Sequence, residues 1–226
     1  MKSINLALWS VNLILQLGLV ALLFRRRIAR RAPLFTLLIS FYIVRSVLMY
    51  VLSTHMAHAA YYELFQDFAL ADTILQILVA IEIAVTALRS GEWSGQRTVA
   101  QALLLMAGVL AAMFLAALLP SRGRVPIDRG TVFASALMVL LFIWMAAAGV
   151  RGHARRIVEG FAFYGAIAIL ANMARNQAAL HRNARWYVAG SYIQSAAYML
   201  ALVFWILTIR PEPARKMSKR RATAKA

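Results

Sequence analysis

The sequence predicts an all-α membrane protein, a bundle of seven transmembrane helices with the N-terminus outside and the C-terminus cytoplasmic. Three observations lead there. Seven apolar runs follow one another along the 226 residues. Hydrophobic residues make up 62% of the chain and charged ones 15%, against about 45–50% and 25% in soluble domains. Most of the 25 lysines and arginines gather in alternate turns between the runs.

A hydrocarbon core ~30 Å thick takes about 20 helical residues to cross. The runs fall at 4–24, 33–53, 64–87, 98–119, 130–149, 157–174 and 186–209. Helices are the physical default, because a spanning segment in lipid must satisfy its own backbone N–H and C=O groups. A membrane barrel would need short alternating strands, and these runs do not alternate.

The first run is too long for the usual core of a signal peptide, and its basic flank follows it. No A-x-A pattern precedes Arg25, so it reads as a retained helix whose arginines stop transfer. The second starts at Pro33, where a proline opens a helix at no hydrogen-bonding cost. The third carries the acids Asp67, Asp72 and Glu82. The fourth and fifth are almost free of polar side chains between Leu103 and Leu119 and between Ala136 and Val150, which predicts walls that face lipid. Pro120, Gly123, Pro126 and Gly130 shape the turn between them. The sixth follows the pair Arg155–Arg156 much as the second follows Arg30–Arg31, and a 3+1+3 repeat is topologically allowed. The seventh ends before Pro211 and Pro213. Residues 1–209 therefore form one domain, and 210–226 a basic tail. No proline falls inside a span, which counts against the broken helices of many transporters.

The net charge of +17 is distributed as membrane topology requires, which argues against nucleic acid as a partner. Arg25, Arg26, Arg27, Arg30 and Arg31 crowd the first turn. Arg89 and Arg97, then Arg151, Arg155 and Arg156, then the tail fall on the same predicted side. That excess sets this side as cytoplasmic. Lys2, the trio Arg122, Arg124 and Arg129, and the trio Arg175, Arg182 and Arg185 fall outside, which leaves Arg45 alone within a helix.

The stretch Arg30-Arg31-Ala32-Pro33-Leu34-Phe35, the second span after it, Tyr61-Tyr62 and the acidic third span through Glu82 resemble a group of uncharacterised bacterial seven-helix membrane proteins. The likeness covers mostly residues 1–90. It implies the seven-helix topology and a bacterial inner-membrane location, and carries no activity onto any residue.

Each ionisable group within a span costs about 2.5–3.5 kcal/mol on insertion scales, so each needs a reason. Arg45 and Asp72 both lie eight residues from the predicted external ends of their helices, about 12 Å deep. Two antiparallel neighbours would bring them level as an ion pair. The pair either locks register or floors a polar pocket open to the outside. Asn172, Gln194, Ser195 and Tyr198 fall in the same outer half and would join that pocket. Glu82, about 15 Å along the helix from Asp72, is expected to reach the interface and pair with Arg89 or a first-turn arginine. Asp67 and Asp72 point about 140° apart on a helix and do not converge.

His55, His58 and Glu63, near Asp67, offer imidazoles and carboxylates for a divalent metal at the external mouth, although a solvated loop explains the same residues. Tyr61, Tyr62, Trp93 and Trp186 fall at predicted interfaces, where aromatic belts form. Arg215, Lys216, Lys219, Arg220 and Arg221 suit anionic lipid head groups at the cytoplasmic face, at about 1 kcal/mol per charge.

Several chemistries are excluded by residue type. The chain has no cysteine, and Lys2, Lys216, Lys219 and Lys225 all lie outside the spans, so no retinal Schiff base forms in the bundle. His55, His58, His153 and His181 fall in predicted turns, which removes helix-ligated haem and serine–histidine proteolysis within the membrane. No H-E-x-x-H, G-x-x-x-x-G-K-[ST] or G-x-G-x-x-G occurs. The sequence thus points to a non-enzymatic receptor or assembly partner without cofactor. Its expected partners are the bilayer and another membrane or cytoplasmic protein. The alternative is a small-solute or ion transporter that uses Arg45, Asp72 and Glu82 as a charge path.

Overall fold

The computed structural model describes residues 2–52, 58–90, 108–109, 112–113, 129–150 and 152–209. These contain six long helices, and no strand occurs among them. They are α1 (Lys2–Arg25), α2 (Pro33–Leu52), α3 (His58–Ser90), α4 (Arg129–Ala147), α5 (His153–Leu180) and α6 (Ala184–Thr208). All six are long and apolar enough to cross a membrane, and the molecule is a multi-pass α-helical membrane protein. The fourth apolar run, 98–119, lies outside the described residues except for Gly108, Val109, Ala112 and Met113, which are helical.

Two helices differ from their expected bounds. α3 starts at His58 rather than 64 and runs 33 residues, about 50 Å of helix. α5 covers 28 residues, His153–Leu180, and takes in Arg175, which had been expected in an external turn. Arg45 is therefore not alone within a helix. Polar residues at a span's end do not stop a helix that still has a packing partner, whereas hydropathy stops at the first charge.

α5 and α6 form the tightest pair, and small residues explain why. Ala168 and Ala171 on α5 and Ala197 and Ala201 on α6 are all buried. Lipid is as apolar as leucine, so close backbone approach and van der Waals packing drive association in a membrane. A Cβ on Gly160 would overlap the Trp205 indole nitrogen, and one on Gly190 would sit 2.9 Å from Cγ of Arg175. The Trp205 indole N–H donates to the Ile157 carbonyl at 3.1 Å. Its ring meets Phe161 and Phe35 edge-on, with centroids 4.7 and 5.1 Å away.

α4 corrects the expectation of a lipid-facing wall. Of its spanning stretch 50% is buried, against 17% for α1. It packs between α3 and α5 through Val132, Met138, Leu141 and Met145. An apolar surface suits lipid and protein equally, so the absence of polar groups could not tell them apart.

The bundle has two unlike halves. At the end holding the α1–α2 turn, Leu19, Leu23, Phe35, Leu38, Ile39, Ile83, Ile157 and Leu202 are fully or nearly fully buried and close the interior. Arg27 turns the chain there with a left-handed φ of 56°, before a single 3-10 turn, Ile28–Arg30. The Arg26 guanidinium donates to the Ile209 carbonyl just past α6, where a cation offsets the helix dipole. The other half, toward Leu52, His58, Leu180 and Ala184, holds the polar groups.

Candidate functional site

The ion pair anticipated from matched depths is present. Arg45 Nη1 on α2 lies 3.1 Å from Asp72 Oδ2 on α3. Asp72 has more partners than the arginine. The Tyr42 hydroxyl donates to Asp72 Oδ1 at 2.7 Å, and the Gln76 amide donates to the same oxygen at 2.7 Å and to the Tyr42 hydroxyl at 3.0 Å. Each oxygen of the carboxylate thus receives charge-assisted bonds, the condition for keeping a buried ion. Arg45 also lies over the Phe65 ring, 5.4 Å from its centroid, a cation–π contact. Tyr42 and Gln76 escaped the sequence reading because each is an ordinary residue in an apolar run. Their four-residue offsets from Ser46 and Asp72 mark only which helix face they share.

The pair floors a cavity of about 970 Å³. α1 contributes Leu6, Trp9, Asn12 and Gln16 to its wall, α2 adds Tyr42, Arg45, Met49 and Tyr50, and α3 adds Tyr61, Phe65 and Asp72. Tyr164 on α5 and Tyr198 on α6 close it. The rings interlock: Trp9 stacks on Tyr50 at 4.5 Å, and Tyr198 meets Tyr42 and Tyr164 edge-on at 5.7 and 5.4 Å. The expected interior of the second, third, sixth and seventh spans therefore lacked one wall, α1. Its polar signal was on the page as Trp9, Asn12 and Gln16, three or four residues apart and so on one face.

A second space of about 570 Å³ adjoins the first and shares Trp9, Asn12, Arg45, Phe65, Tyr164 and Tyr198 with it. Its far side holds Arg175. The guanidinium donates from Nη2 to Asn172 Oδ1 and to Gln194 Oε1, each at 2.6 Å, and the Gln194 amide donates to the Tyr164 hydroxyl at 3.2 Å. Asn172, Gln194, Ser195 and Tyr198 were expected in a pocket with Arg45, and Gln194, Ser195 and Tyr198 line this space together with it. Asn172 is not among its lining residues and, like Gln194, accepts from Arg175. Ser195 borders the same space but is exposed, and its hydroxyl turns back to the Ser191 carbonyl at 3.0 Å.

Unpaired polar atoms are concentrated here. Trp9 Nε1, Asn12 Oδ1 and Gln16 Oε1 are buried with no hydrogen-bond partner, while Gln16 Nε2 reaches the Tyr198 hydroxyl at 3.3 Å. Leaving a buried donor or acceptor unmatched costs about 1–3 kcal/mol. All three atoms belong to side chains that line the cavity.

Glu82 is placed differently from expectation. Its carboxylate accepts from the backbone N–H groups of Leu34 at 3.1 Å and Phe35 at 3.2 Å. Pro33 opens α2 and has no N–H of its own, so the next two amides are exposed donors at a positive helix end. The acid caps a neighbouring helix. Asp67 and Glu63 are exposed on α3. His55 and the His58 side chain lie outside the described residues, as do the tail residues Arg215, Lys216, Lys219, Arg220 and Arg221. Among the described residues no three His, Asp or Glu side chains gather as metal ligands. Trp186 is 65% exposed at the start of α6, where a belt residue belongs, whereas Tyr61 turns into the cavity wall.

Comparison with protein families, with curated proteins and with solved structures found no match.

Proposed function

We propose that this protein is a seven-helix receptor-like binding protein of the bacterial inner membrane, with its ligand cavity facing outside. The observation that carries the reading is the cavity above Arg45–Asp72, with three buried polar atoms that lack partners and a wall of aromatic rings. A few polar groups converging in an apolar recess of roughly 300–1,000 Å³ is the usual form of a small-molecule site. Among the described residues no metal-ligand cluster adjoins it, and the reading offered is of binding rather than chemistry. A cytoplasmic or membrane partner would carry the signal, and the basic tail would hold anionic lipid.

Topology has its own support. The Arg26–Ile209 contact and the Glu82 cap put the end of α1, the start of α2 and the end of α6 at one face. Trp205 and Ile157 put the α4–α5 turn there too. Ser90 ends α3 at that face and Arg129 starts α4 at the other. The opposite faces of Ser90 and Arg129 support the proposal that the run 98–119 is a seventh crossing. With the first-turn arginines on the closed face, the positive-inside rule makes that face cytoplasmic.

A transporter remains the second reading, with Arg45, Asp72 and Glu82 as its path. Glu82 already caps α2, and the packed layer of Leu38, Ile39, Val79 and Ile83 separates it from Asp72. Those contacts favour a site open on one side. Native mass spectrometry of the chain, extracted gently from its own membrane, tests the proposal. A stoichiometric small molecule retained by the wild type and lost in Arg45→Ala is the expected result. An associated protein with an empty cavity would replace the ligand-binding reading by an assembly role.

A further inference from the structure

The charge balance of the two connected spaces identifies the class of ligand. Arg45 is neutralised within the site, because Asp72 holds it at 3.1 Å. Arg175 is not. Its polar partners are the neutral amide oxygens of Asn172 and Gln194, and among the described residues no carboxylate forms an ion pair with it. Among the described residues, the space between Trp9 and the half-buried Arg175 thus carries one positive charge without an ion-pair partner. A cation there would meet repulsion, and a neutral ligand would leave the guanidinium unmatched.

The rest of the wall asks for more than a hydrocarbon body. Gln16 is 2% exposed with Oε1 unpaired. Asn12 Oδ1 calls for a donor and the Trp9 indole N–H for an acceptor. An alkyl chain would bury all three without relief, whereas an amide offers both a donor and an acceptor. Trp9, Tyr50 and Phe65 supply ring faces around them.

We infer that the site binds an amphipathic aromatic anion: a carboxylate against Arg175, with a ring and an amide-like group between Trp9, Asn12 and Gln16. This rests on the reading of the cavity as a ligand site and adds to it the sign of the charge and the polarity of the body.

The test uses the full chain in phosphatidylcholine nanodiscs, titrated calorimetrically with N-benzoylphenylalanine and with its neutral carboxamide, empty nanodiscs being subtracted. The acid is expected to bind at least roughly tenfold more tightly than the amide. Arg175→Gln, which keeps a hydrogen-bonding side chain, should bring the acid down to the level of the amide. Arg175→Lys should restore much of the preference, which a purely structural arginine would not show. Asn12→Leu should weaken both probes together. Equal binding of acid and amide to the wild type would overturn the charge assignment and leave the cavity as a binding site. Binding of neither by chain that retains its helical circular dichroism would overturn both, leaving a water-filled recess.

Discussion

Glu82 shows how one side chain can decide where a helix begins. Its two oxygens meet the Leu34 and Phe35 amides, so Glu82→Ala would leave two part-buried donors at the start of α2 without this partner. We expect a loss of about 1–3 kcal/mol, read as a lower unfolding temperature in detergent, with Glu82→Gln losing less. Arg45 and Asp72 form a second pair whose members depend on each other. Arg45→Ala and Asp72→Asn should each destabilise the chain, and the double variant should cost less than their sum by about 0.5–3 kcal/mol. Strict additivity would remove the coupling. Asn12 is the reverse case. Its unpaired oxygen makes Asn12→Leu a stabilising change of up to about 1 kcal/mol, while ligand binding falls. A variant that loses stability there would show that Asn12 has a structural partner.

Among the elements, α5 and α6 depend on absent side chains as much as present ones. The Trp205 indole occupies the space over Gly160, so Gly160→Val should displace the ring, break its bond to Ile157 and cost about 1–3 kcal/mol through overpacking. Paired with Trp205→Phe, which frees part of that space, the cost should shrink; an unchanged cost would place the strain elsewhere. The span positions were legible in the sequence because hydropathy measures length against the bilayer. The ends were less so. α3 and α5 outrun their apolar cores by one to two turns, since Tyr61 joins the cavity wall and Arg175 finds partners in the bundle rather than stopping the helix. Tyr42 and Gln76 were not legible as site residues, because their meaning comes from Asp72 on α3 and from Tyr198 across the cavity.

For the molecule as a whole, orientation is the property most open to a direct check. The chain has no cysteine, so single substitutions report unambiguously. In intact bacteria an impermeant maleimide should label Asn183→Cys, between α5 and α6, and should label Ser218→Cys only after the membrane is permeabilised. The opposite pattern would invert the topology and turn the cavity inward. The closed half, built on Phe35, Phe161 and Trp205, and the open half, built on the Arg45 and Arg175 clusters, divide one bundle into an anchor and a recess.

Composition and run length determined by themselves that this chain crosses a membrane as helices, because only helices and closed barrels satisfy the backbone in lipid and the long runs lack the alternation of barrel strands. The matched depths of Arg45 and Asp72 reached one contact further, since a short turn fixes the register of adjacent antiparallel helices. Which faces meet was decided only in three dimensions. α4 went to the interior, α1 became a wall of the cavity, Glu82 capped α2, and Arg175 gathered Asn172 and Gln194. In lipid the apolar pattern that reveals a soluble core is silent, because the solvent and the core have the same polarity; shape and the few polar groups then choose the partners.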